Sequence, residues 1–107
     1  MTDIIHGSRN VYADLEFPDA NEMFVKAKLV TKIRQILKER GWTQKQAGQV
    51  LGMPQPKLSK MLSGEFRGIS EAKMLECLAR LGRDVQIVVG PETNRTEAGH
   101  VDVVFSA

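Results

Sequence analysis

The 107-residue chain predicts a mainly α fold, a bundle of four to five helices followed by one or two short C-terminal strands. Three observations carry this. Apolar residues recur at helical spacing between residues 19 and 81. Glycines and capping residues punctuate that stretch at intervals suited to short helices. After residue 84 the pattern changes to β-branched runs.

Residues 1–18 contain Gly7, Ser8, Asn10 and Pro18 with scattered apolar residues and no clear period, which reads as an irregular arm with one short turn around Tyr12–Leu15. The stretch "FPDANEMFVKAKLVTKIRQILKERG" predicts a long first helix. Asp19 or Asn21 can cap it, and Glu22 in the first turn favours the positive end of the dipole. Met23, Ala27, Val30, Ile33 and Leu37 form an apolar stripe, widened by Leu29 and Ile36. Lys38 and Arg40 fall in the last turn, and Gly41 ends it.

The second helix opens on "TQKQ", where Thr43 and Gln46 have the spacing of a capping box. It runs to about Leu51, and Gly52 supplies a turn that needs positive φ. The third helix runs from about Gln55 to Ser63, with Leu58, Met61 and Leu62 facing inward. Pro54 and Pro56 stand at its start. First-turn N–H groups have no intrahelical partner and proline's φ is already helical, so two prolines there give an abrupt, stiff beginning. The fourth helix is capped by Ser70 and carries Met74, Leu75, Leu78 and Leu81 before Gly82. Then "DVQIVVG" (84–90) and "VDVVF" (101–105) read as strands joined by a loop of about ten residues, long for a hairpin. The boundaries are an arm over 1–18, a helical domain over 19–83 and a C-terminal extension over 84–107.

A net charge of +2 hides a strong asymmetry. Residues 26–67 carry ten basic and two acidic residues, whereas 1–25 and 68–107 are both net acidic. A basic middle on a helical domain favours a polyanionic partner. Cys77 is the sole cysteine, so an intrachain disulfide and a cysteine-rich metal site are excluded. No apolar run approaches the ~18 residues of a membrane span. "MTDIIHGSRN" lacks the pattern of a signal peptide, and the expected location is the cytoplasm.

Residues 44–63 resemble the helix-turn-helix of the lambda-repressor-like, or XRE, family. Counting from Gln44, Gly48 stands at the fifth position, where a small residue lets two helices cross closely. Gly52 is the turn glycine at the ninth, and Leu58 and Met61 are the aliphatic residues at the fifteenth and eighteenth. The chain departs from the family in having glycine, not alanine, at the fifth position, which costs about 1 kcal/mol in helix propensity. "NVYADLEFPDANEM", "QPKLSKMLSG" and "LGRDVQIVV" further resemble a subgroup common as HigA-type antitoxins, and the likeness covers roughly residues 8–91. It implies a lambda-repressor-like helix-turn-helix DNA-binding core, a homodimer, binding to an operator in the promoter of its own operon, and a RelE/HigB-like ribonuclease toxin as partner.

By that family's docking, the third helix presents its N-terminal end to the major groove. Gln55 can pair with N6 and N7 of adenine, Lys57 and Lys60 can donate to guanine or phosphate, and Ser59 can do either. Thr43 and Gln44 open the second helix toward a phosphate. Lys45, Lys38, Arg40 and Arg67 are candidate backbone clamps. Tyr12, Asp14, Leu15 and Phe17 in the arm either fold back on the domain or dock a basic toxin. Strand 85–89 either pairs with 101–105 or extends a sheet across a dimer. Trp42 has the position of a hydrophobic staple, and Cys77 that of a small core hydrophobe. His6 and His100 lack neighbouring ligands, and no catalytic constellation is visible. A non-enzymatic DNA-binding regulator without cofactor or metal is expected. Its rivals are a stand-alone repressor and a toxin-neutralising interaction module that does not touch DNA.

Overall fold

The computed structural model describes residues 19–92 and 98–106. Four helices occur among them: α1 (Ala20–Arg40), α2 (Gln44–Leu51), α3 (Gln55–Leu62) and α4 (Glu71–Arg80). Their ends follow from local chemistry. Gly41 takes φ 65° and its N–H reaches the carbonyls of Leu37 and Lys38, closing α1. Asp19 holds the N-cap position of α1, yet its carboxylate makes no capping bond. It pairs instead with the Arg67 guanidinium, 48 residues downstream. At α2 both halves of the expected capping box form: the Gln46 N–H donates to the Thr43 hydroxyl at 3.1 Å, and the Thr43 N–H donates to Gln46 Oε1 at 2.9 Å. Ser70 caps α4 by accepting from the Lys73 N–H at 3.1 Å.

The long α1 packs on α4 and α3, and α2 packs on α3 and α4. Val30 and Ile33 of α1, Leu51 of α2, Leu58 and Met61 of α3, and Met74, Cys77 and Leu81 at α4 are fully buried in one cluster. Met53, Phe66 and Ile69 complete it from the connections. Burying one such side chain is worth about 1.5–3 kcal/mol, so this cluster, more than helix propensity, holds the short α2 and α3 in place.

Two buried lysines act as internal struts. Lys26 is 3% exposed, and its ammonium donates to the Arg67 carbonyl at 2.8 Å while lying 3.2 Å from Glu22 and 3.8 Å from Glu71. It thereby ties α1 to the start of α4. Lys28 reaches the Val103 carbonyl at 3.1 Å and Asp102 at 3.4 Å, and lies over the Phe24 ring. Lys32 covers Phe105. These contacts lay residues 102–105 across α1.

The expected C-terminal strands are not seen. Among the described residues 84–90 and 98–106 there is a single bridge residue, Phe105, and no strand. Ile87, Val88 and Val89 are 77–89% exposed. A β-branched run makes a strand only when a partner meets its backbone and packs its side chains, and the second run is instead held down by lysines of α1. The turn expected around Tyr12–Leu15 lies outside the described residues.

Candidate nucleic-acid interface

The turn between α2 and α3 is built by close backbone approach. Gly52 takes φ 64°. The Met53 N–H returns to the Gly48 carbonyl at 3.0 Å. A Cβ on Gly48 would stand 2.8 Å from the Met53 carbonyl oxygen. The glycine at this helical position therefore has a steric cause, because the backbone of the connecting turn closes over it where alanine would collide. Pro54 then takes the N-cap place and Pro56 falls in the first turn of α3, as proline's missing N–H and fixed φ allow.

This turn divides α3 into two faces. Leu58 and Met61 are completely buried, while Gln55, Lys57 and Lys60 are exposed and Ser59 is half-buried. Thr43, Gln44 and Lys45 are exposed at the start of α2. Among the described residues no carboxylate lies within ion-pair distance of Lys45, Lys57 or Lys60. The far end of α3 is anchored from α1: the Arg34 guanidinium donates through Nε and Nη2 to the Leu62 carbonyl at 3.1 and 2.6 Å.

A protein-family model described as a helix-turn-helix domain matches residues 11–90. The chain belongs to this helix-turn-helix family. Among solved structures, a protein provisionally named an XRE family transcriptional regulator is similar to it, with a TM-score of 0.74 and 28% identity over 83% of this chain and 100% of the other. Comparison with curated proteins gives no significant match.

In this helix-turn-helix protein the basic block divides into two kinds of cation. Lys26 and Lys28 are the struts already described. Arg40 donates to the Leu81 carbonyl at 2.5 Å and stacks on Trp42, 4.9 Å from its ring centre. Trp42 packs half-buried against the core. Arg67 holds Asp19. Arg40 and Arg67, read from sequence as backbone clamps, are exposed but spend guanidinium N–H groups on partners within the chain. Lys38, Lys45, Lys57 and Lys60 are exposed without such a partner among the described residues. Arg34 was not singled out by sequence, since the carbonyl it serves lies 28 residues away and leaves no local pattern.

Cys77 is buried, and burial raises its thiol pKa, so it is a core residue and a poor nucleophile. Glu76 is held below the usual carboxylate range by its hydrogen bond and attraction to Lys73, with Arg80 adding to both. Among the described residues no group of three or more metal-ligating side chains occurs, and no helix is long and apolar enough to cross a membrane. Tyr12, Asp14, Leu15 and Phe17, together with His6, lie outside the described residues.

Proposed function

We propose that the protein is a sequence-specific DNA-binding transcriptional regulator of the XRE type that works as a homodimer. The observation that carries this is the two-faced α3: Leu58 and Met61 pin one side, and Gln55, Lys57 and Lys60 stand exposed on the other, without a side-chain partner among the described residues. A helix held this way can enter a major groove with its first turn leading. Gln55 is assigned to an adenine edge, Lys57 and Lys60 to guanine or phosphate, and Ser59 to either. The exposed start of α2, with Thr43, Gln44 and Lys45, is assigned to the phosphate backbone.

In the finer form of the reading, the protein is the antitoxin of a type II toxin–antitoxin module, represses its own operon and binds a RelE/HigB-like toxin through Tyr12, Asp14, Leu15 and Phe17. Its support is the sequence likeness over residues 8–91. Titration of duplexes from upstream of its own gene, against scrambled duplexes, tests the DNA reading. Gln55→Ala is expected to cost ~1–3 kcal/mol on the operator alone, and Lys45→Ala to weaken every sequence alike. Equal losses on both duplexes would remove Gln55 as a base reader. Absence of binding at low ionic strength would end the DNA reading. Co-purification of residues 1–107 and 19–107 with the product of the neighbouring reading frame tests the finer form. Undiminished capture by 19–107 would reject the arm.

A further inference from the structure

Among the described residues the most exposed large apolar side chains lie in the C-terminal segment. Val85 is 42% exposed, Ile87 77%, Val88 79% and Val89 89%. Among the described residues, no backbone N–H or C=O of residues 84–90 is hydrogen-bonded to another backbone group. From Val85 to Gly90 there is no charge and no proline, so the usual protections of a free strand edge are missing. We propose that this segment is the dimer seam: residues 84–90 of one copy pair antiparallel with residues 84–90 of a second copy, about a two-fold axis through Ile87. This deepens the reading of a dimeric DNA-binding protein and rests on it.

The register follows from the residues. With the axis at Ile87, Val85 faces Val89, Gln86 faces Val88 and Asp84 faces Gly90, so aliphatic residues meet and no like charges are directly opposed. Moving the axis to Gln86 sets Val88 against Asp84 and Val89 against Arg83. Moving it to Val88 sets Asp84 against Glu92. Both alternatives lose cross-strand complementarity. Period two then places Val85, Ile87 and Val89 on one face, and two copies give a strip of six aliphatic side chains.

A stable dimer needs more contact than the ribbon supplies. Seven paired residues alone fall short of the ~800 Å² per partner of a stable interface. The segment also walls a groove of about 870 Å³, together with Val25 and Leu29 of α1, Leu75 and Leu78 of α4, and residues 100–106. The neighbouring copy's ribbon can lie over that groove and over the exposed Val101. No residue of α2 or α3 lines the groove, so a dimer built there leaves both reading helices uncovered.

Light scattering on the full chain across the micromolar range tests the seam. The wild type is expected to weigh twice its 11.9 kDa chain mass. Ile87→Arg, which puts two guanidinium groups face to face, is expected to weaken dimerisation roughly 100-fold or more. Its far-UV spectrum should be unchanged, because Ile87 packs on little in the monomer. Ile87→Cys should form a disulfide-linked dimer on mild oxidation, since opposed Cβ atoms lie about 4.5–5.5 Å apart, and Gln86→Cys should not. Cys77 is fully buried and stays silent. A monomeric wild type, an unaltered dimer in Ile87→Arg, or equal cross-linking at positions 86 and 87 overturns the proposal. So does a segment that becomes protected only when a toxin is added. Operator binding is read separately: a monomer that binds DNA sinks the seam alone, and a dimer dispersed by Ile87→Arg that never binds DNA sinks the DNA reading alone.

Discussion

Gly48→Ala puts the steric reading of the turn to a quantitative test. On helix propensity alone, replacing an interior glycine by alanine stabilises by about 1 kcal/mol. Here the new methyl group would lie 2.8 Å from the Met53 carbonyl oxygen. That oxygen belongs to backbone whose own N–H is fixed to the Gly48 carbonyl at 3.0 Å, and it cannot swing away as a side-chain tip could. Forcing extra volume into such a site costs about 1–3 kcal/mol. Stretching the returning hydrogen bond adds part of its roughly 0.5–1.5 kcal/mol. The balance is a net destabilisation of about 1–2 kcal/mol, or a Tm lower by roughly 4–8 °C for each kcal/mol. Urea unfolding of the full chain measures it. Gly68→Ala is the control: a Cβ there meets nothing within 4 Å and the backbone needs no positive φ, so it should be neutral or mildly stabilising. A Gly48→Ala protein more stable than wild type would refute the backbone-contact explanation.

Three other outcomes are expected. Arg34→Met removes both hydrogen bonds to the Leu62 carbonyl and should cost about 1 kcal/mol of stability. It should also narrow the ratio of operator to scrambled-duplex affinity, because the far end of α3 loses its anchor; an unchanged ratio would make Arg34 structural only. Lys26→Met should lower stability by about 1–3 kcal/mol with DNA affinity within about twofold of wild type, and a large affinity loss in the folded variant would contradict its role as a strut. Glu76 is depressed by Lys73 and then Arg80, so its stabilising effect is present above its unfolded pKa and is lost as pH falls through the lower folded value. Glu76→Gln should therefore melt slightly below wild type at neutral pH, and the two melting curves should converge in acid; a gap that widens in acid would reverse the sign.

Features encoded locally were legible in the sequence. Thr43 and Gln46 announced the start of α2, Gly41 and Gly52 the ends of α1 and α2, and the Pro54–Pro56 pair the start of α3, because each acts within one turn of its own position. The buried face of α3 followed from spacing. What escaped were relations between distant residues. Lys26 and Lys28 counted only as part of the basic block, because, Glu22 apart, the carbonyls and carboxylates that let them be buried come from 41 to 75 residues away. Asp19 was an apparent cap until Arg67 claimed it. The valine-rich tail read as strands because β propensity says nothing about whether a partner is within reach.

The internal use of cations has a consequence for how tightly the protein should respond to ionic strength. Each phosphate neutralised on a duplex releases counterions, so log K falls against log salt with a slope near −0.9 per contact. Ten cations in the basic block would imply a slope of about −9 for each protomer. If Lys38, Lys45, Lys57 and Lys60 alone reach phosphates, while the exposed Arg34, Arg40 and Arg67 keep their partners within the chain, the slope is about −4. Such a protein would keep much of its grip where a more fully basic one is washed off, and would owe more of its discrimination to direct contact with bases.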